Sequence, residues 1–211
     1  MLLCLFLGCT RAPNEVPFSK AELGAHAELA GWLALWTPPL SPLTASSFQL
    51  VSESNEMGAP IDYFASFGAA GLPAWQAERL LYSPDSTWAV DFWIWRVDSI
   101  GTFMEEPDSR VALLNLTSRQ ATLVLTCGTP CGFHVATWIS ASSFLVGGWE
   151  ECFDPPPGRI EPVLWRIDLE DQRVRKFHGP PLGEEYLAPL AVAVREQWRL
   201  RFPWLRLEHS N

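Results

Sequence analysis

Apolar and polar positions alternate along two stretches of the chain, and each stretch reads as short strands separated by polar turns. Residues 82–93 (YSPDSTWAVDFW) and 138–149 (WISASSFLVGGW) share one layout: an aromatic, a small polar turn, an aromatic-apolar-Val run and a closing Trp. Laid over each other they place Trp88 on Phe144, Val90 on Val146 and Trp93 on Trp149. A second layout follows each of them. Residues 111–125 and 163–177 both give strand, polar turn and strand. Asn115-Leu116 then matches Asp168-Leu169, and Thr117 to Gln120 matches Glu170 to Arg173 as the turn. Asp, Ser and Asn suit the breaks because their side chains bond nearby backbone groups. Val, Leu, Phe and Trp suit a pleated, half-buried surface. The pattern predicts a mainly β, antiparallel fold in which residues 82–178 form two four-stranded units.

On either side the period lengthens to that of a helix. Ser19-Lys20-Ala21-Glu22 has the form of a capping box, and Leu29, Trp32, Leu33 and Trp36 fall on one face after it. Thr37-Pro38-Pro39 ends that pattern, so residues 19–37 hold a predicted helix. Near the C-terminus Pro189 suits a first turn, and Leu190, Val194 and Trp198 follow at fourfold spacing, which predicts a helix over 189–201. Between the first helix and the paired units, residues 38–60 read as loop with one short strand over 47–52. Residues 61–71 read as a short helix or an aromatic loop, whose Tyr63, Phe64 and Phe67 would cover an open sheet face.

SPDSTWAV followed by NLTSRQATLVL, and LWRIDLEDQRVRKF, resemble blade segments of bacterial envelope β-propellers of the WD40-like or TolB-like kind. The resemblance covers about half the chain and implies units shaped like propeller blades. The second unit departs from the pattern, with Ser140-Ala141-Ser142 where the first has Ser-Pro-Asp. Two units cannot close a ring. That leaves a propeller fragment, half of an oligomeric ring, or two sheets stacked on each other. The stacked arrangement is favoured because a monomer must bury its sheet faces.

The start of the chain adds a location. In MLLCLFLGC, Phe6-Leu7-Gly8-Cys9 resembles the lipobox of bacterial lipoproteins, although no Lys or Arg precedes Cys9 and Leu7 is bulkier than the usual residue there. The resemblance implies a lipoprotein signal over 1–9, a lipidated Cys9, a tether over 10–18 and a single β-rich domain over 19–211. It places the protein in the bacterial cell envelope, anchored to a membrane by lipid. The 1–9 run is too short to span a bilayer as a helix, whereas two or more acyl chains hold a protein stably.

Composition narrows the partners. The chain has 211 residues, 48% of them hydrophobic, enough for one full core. A net charge of −9 disfavours nucleic acid, whose phosphates require a concentrated basic patch. Arg195, Arg199, Arg201 and Arg206 make one local exception, read as a solvated helix face or as a contact for an acidic partner or lipid head groups.

Cys127 and Cys131 bracket Gly-Thr-Pro in a turn between the two units. In an exported protein the expectation is a disulfide between them, with Cys152 as a competitor. The alternative is a zinc site on Cys127, Cys131, His134 and Cys152, whose ligand types fit but whose spacing is not diagnostic. No cofactor is predicted.

Three acidic doublets stand out: Glu105-Glu106, Glu150-Glu151 with Asp154, and Glu184-Glu185. Neighbours on a strand point to opposite faces, so a doublet seldom supplies both acids of one cleft. The segments around Glu105-Glu106 and Glu150–Asp154 leave corresponding strands of the two units and therefore share one rim. Glu105, Glu106, Glu150, Glu151 and Asp154 are the candidate ligand contacts, since loops on a rigid scaffold carry function. No nucleophile elbow, phosphate loop, dinucleotide glycine pattern or His-Glu-x-x-His occurs. No catalytic residue is assigned. The expected function is binding or assembly with an envelope protein or glycan. The alternative is an envelope hydrolase acting on glycan or peptide through rim carboxylates. An acid and a His in one cleft would favour the enzyme, and an exposed aromatic patch the binding module.

Overall fold

The computed structural model describes residues 15–36, 42–65, 71–92, 102–103, 108–128, 130–152, 158–201 and 206–207. The capping box forms as the sequence dictates. Ser19 Oγ accepts from the Glu22 N–H at 3.1 Å, and the Glu22 carboxylate accepts from the Ser19 N–H. The helix it starts, α1 (Lys20–Ala25), stops sooner than expected, and α2 (Ala27–Leu35) begins after one intervening residue. That residue, His26, is extended, with φ −124° and ψ 91°. Its Nδ1 lies 3.3 Å from Thr137 Oγ1 on a distant strand, a tertiary contact that a continuous helix would not make in this way. The expected apolar stripe holds across the break: Leu29, Trp32, Leu33 and Trp36 are all buried.

The strands follow in order: β1 (Gln49–Ser54), β2 (Ala59–Ile61), β3 (Leu81–Tyr82) after the helix α3 (Ala74–Arg79), β4 (Trp88–Asp91), β5 (Thr102–Phe103), β6 (Ser109–Asn115), β7 (Gln120–Cys127), β8 (Cys131–Trp138), β9 (Ser143–Cys152), β10 (Arg159–Asp168), β11 (Arg173–His178) and β12 (Leu182–Gly183). Helix α4 (Leu187–Arg201) and β13 (Arg206–Leu207) are the last elements among the described residues. Among the described residues the fold is mainly antiparallel β, with one six-stranded and one five-stranded sheet. The larger runs β1-β11-β10-β9-β8, with β12 also on β10; the smaller runs β2-β7-β6-β4-β3. A short parallel pair joins β5 and β13.

Each sheet contains one of the expected units as an antiparallel run of four strands, β3-β4-β6-β7, with β5 branching off to pair β13, and β8-β9-β10-β11. Each then gains an edge strand from the N-terminal segment, β2 on β7 and β1 on β11. The 47–52 strand is thus realised slightly later, as β1. The match of Asn115 to Asp168 fits the ladders, where Trp88 faces Asn115 and Ser143 faces Asp168. The ladders therefore equate Trp88 with Ser143, one position away from the overlay on Phe144. The cause is turn length: the connection after Tyr82 is one residue longer than the connection after Trp138. A one-residue offset moves a side chain to the other face.

Helices α1, α2 and α4 cover one face of the six-stranded sheet. A Cβ at Gly147 would stand 3.1 Å from the Trp32 ring and 2.7 Å from Val135, so glycine here lets the tryptophan lie on the strand. The Trp198 indole on α4 donates to the His134 carbonyl at 2.8 Å. Pleat alternation turns Phe133, Phe144, Val146, Trp165 and Ile167 to the opposite face. There the sheets meet, and the Trp138 indole donates to the Leu81 carbonyl at 2.7 Å. One apolar core runs through both contacts, and a second, smaller cluster lies on the five-stranded sheet. Its Ala89, Ala112, Leu114 and Ala121 are covered by Tyr63, with Phe64 beside it, as the sequence suggested. Phe67 lies outside the described residues.

Candidate functional site

Glu150 is the sequence-selected acid that the fold places among other chemistry. It lies near the end of β9, on the face turned away from the helices, and its cross-strand neighbour is Glu161 on β10. Beyond them, β11 contributes Lys176 and His178 to the same face. Lys176 Nζ lies 2.5 Å from Glu150 Oε2. His178 sits between the two acids, its Nδ1 2.6 Å from Glu161 Oε2 and its Nε2 3.5 Å from Glu150 Oε2. Lys176 also stands 5.8 Å from the Trp165 ring centre, which Phe133 meets edge-on at 5.0 Å. The four charged side chains are 15–27% exposed, so they border the core yet reach solvent.

Burial works against ionisation of Glu150. Hydrogen bonds from His178 and Lys176, together with their charges, outweigh it and hold the carboxyl below its usual range. A doubly protonated His178 can bridge both acids, and a neutral one can serve only one of them as donor. The arrangement can hold charge firmly in place.

The ladder continues across the same end of the molecule. Glu150 pairs with Cys131, the sulfurs of Cys131 and Cys127 lie at disulfide distance with Cα atoms 5.8 Å apart, and Cys127 pairs with Ser109. The strand ends that bound both rim segments therefore share one edge. Glu105, Glu106 and Asp154 on those segments, and Cys9 at the N-terminus, lie outside the described residues. Glu151 pairs with Ile160 and, being next to Glu150 on the strand, belongs to the opposite face. Among the described residues no group of three or more His, Cys, Asp or Glu could hold a metal ion. His134 of the zinc alternative is instead a core residue of β8.

Glu161, Lys176 and His178 were not singled out by the sequence. The missing signal was the β9–β10 register: once Cys152 is set against Arg159, Glu150 must face Glu161. The proline-rich connection conceals that register.

A second polar cluster is sealed under α3. Asp91 is fully buried and accepts from Tyr63 Oη at 2.7 Å, from Gln76 Nε2 at 2.9 Å and from Arg79 at 3.1 Å. Burial pushes the Tyr63 hydroxyl far above its usual range, and the neighbouring Asp91 charge pushes it further. Such a network fixes which groups pack together, and solvent does not reach it.

Comparison with protein-family models, with curated proteins and with solved structures finds no match. Among the described residues no helix is long and apolar enough to cross a membrane.

Proposed function

We propose that this chain is a lipid-anchored protein of the bacterial cell envelope whose two β units, each propeller-blade-like, bind or assemble with an envelope protein or glycan and catalyse no reaction. One observation carries the non-catalytic part: His178 fills the position between Glu150 and Glu161. Glycoside cleavage by two carboxylates needs that space for the scissile bond or for water. Lys176 further holds Glu150 as a structural anion. The group then serves to present a fixed charge pattern beside Trp165. The disulfide-distance pair of Cys127 and Cys131 supports an oxidising compartment, where such bonds persist.

The test of the anchor is labelling of growing cells with radioactive palmitate. Label is expected on the parent chain and absent from Cys9→Ser; equal labelling of both would overturn the anchor. The test of the rim is capture of envelope extract by the purified protein, with retained glycan or protein released when Lys176→Glu is used instead.

The meeting of two acids and a histidine is the grouping expected of the hydrolase alternative, and the Glu161–His178 pair at 2.6 Å has the geometry of a carboxylate orienting a histidine base. Release of reducing ends from glycan, or of new amino termini from peptide, that is abolished by Glu161→Gln would replace the binding reading with this one.

A further inference from the structure

The residues that lead out of the N-terminus are fastened to the helix-covered face of the six-stranded sheet. Glu15 forms an ion pair with Arg175, which also pairs with Asp168. Arg166 donates to the Pro17 carbonyl at 3.2 Å and lies 3.6 Å from Glu22. Phe18 is 1% exposed and packs edge-on against Phe48. Position 15 is therefore held on the sheet, on the same side as α1, α2 and α4. It lies six positions after Cys9, a reach of at most about 20 Å at full extension.

That side also carries outward apolar side chains. On α4, Leu190, Val194 and Trp198 face inward, while Val192 is 62% and Leu200 82% exposed on the outer surface. Val16, next to the fastened Glu15, is 41% exposed. Four of the acids among them are paired with arginine. Glu196 lies 3.2 Å from Arg199, Glu28 lies 3.6 Å from Arg201, and Glu15 and Glu22 have their arginines on the sheet. These pairings lessen the acidic repulsion of this face from a lipid surface, although the chain as a whole carries −9.

We propose that the helical face, which exposes Val16, Val192 and Leu200, is the surface that rests on the lipid bilayer. It deepens the lipid-anchor reading and rests on it. A tether of at most about 20 Å joined to this face keeps that side of the fold near the headgroup layer. Apolar side chains flanked by arginine are suited to that layer. The Glu150–His178 cluster lies on the opposite face of the same sheet, so it is directed away from the membrane.

Hydroxyl-radical footprinting, read by mass spectrometry, tests this on the lipidated protein in vesicles of phosphatidylethanolamine and phosphatidylglycerol. Relative to lipid-free Cys9→Ser in solution, Val16, Val192 and Leu200 are expected to lose most of their modification. Tyr82, on the five-stranded sheet, is expected to keep its own. Unchanged modification of Val192 and Leu200 on vesicles, or protection of Tyr82 in their place, would overturn the proposal. The intact mass separates this from the anchor itself. Should Cys9 prove unacylated, the anchor reading fails. The face is then tested on the same vesicles by coupling the N-terminal cysteines of a Cys152→Ser chain to a maleimide lipid. The same protected set is expected, and its absence there would overturn the proposal.

Discussion

The Leu169 N–H donates to the Ser142 carbonyl at 2.8 Å, tying the β10–β11 turn to the β8–β9 turn. Leu116 makes the same bond to Thr87 in the other unit, at 3.1 Å. The turns that follow are also alike, each ending in a non-glycine residue with positive φ: Gln172 at 52° and Arg119 at 55°. Left-handed backbone costs an L residue about 1–2 kcal/mol, part of which glycine recovers against its greater unfolded freedom. Gln172→Gly is therefore expected to stabilise by about 0.5 kcal/mol. Arg119→Gly should gain less, because its guanidinium stands 5.4 Å over the Phe64 ring. Urea midpoints of the two variants check the difference.

Asp91→Ala would leave Arg79 charged and buried without its carboxylate. A loss of about 3–5 kcal/mol is expected, as for other broken buried pairs. Tyr63→Phe removes one donor and should cost about 1–2 kcal/mol. Since burial raises the folded-state pKa of Tyr63, its contribution is complete below about pH 10 and is lost as the pH rises beyond that. Ultraviolet titration should show its phenolate forming only with unfolding.

Two glycines should respond in opposite directions. A methyl at Gly148 would stand 2.1 Å from the Gly132 carbonyl oxygen, which is backbone and cannot give way cheaply. Gly148→Ala is expected to cost about 3 kcal/mol or prevent folding. A methyl at Gly31 on α2 meets the Gln197 side chain at 3.3 Å, which can swing aside. Gly31→Ala should stabilise by about 0.5–1 kcal/mol through helix propensity. Thermal melts of both variants suffice.

Glu150 gives acid sensitivity with a definite sign. Its folded-state pKa is depressed, so its contribution is present above the ordinary value of 4.5 and declines as the pH falls through the lower folded value. Denaturant midpoints between pH 3 and 6 should fall more steeply, by this contribution, for the parent chain than for Glu150→Gln. Parallel curves would refute the pairing with Lys176 and His178.

The Cys127–Cys131 link closes a loop of about five residues, for which loop-entropy loss predicts about 2 kcal/mol. Replacing both residues by serine should lower stability by that amount. Thiol labelling of the unfolded, unreduced exported protein should count neither cysteine; reaction of both would rule the link out.

Much of the architecture was legible. Ser19 and Glu22 announce α1 because a capping box is local chemistry, and Leu190, Val194 and Trp198 locate the buried side of α4 because helical period is local too. Asn115 and Asp168 mark equivalent turns for the same reason. What escaped depends on partners remote in sequence. The break at His26 accompanies a contact with Thr137, over a hundred positions away. Edge strand β2 is short and mostly exposed, so no alternation betrays it, whereas β1, expected over 47–52, lies two residues later. His178 looks isolated until β9, β10 and β11 are in register.

The edge strands also have a consequence for how the chain reaches its final form. β1 closes on β11 across about 130 positions, and β2, only a few residues later, closes on β7. A single short ribbon thus seals both sheets. During vectorial synthesis or export it must wait for the second unit, leaving the outer edge of β7 to compete for it. A late or missing β1 would leave the edge of β11 open to pairing with a neighbouring molecule.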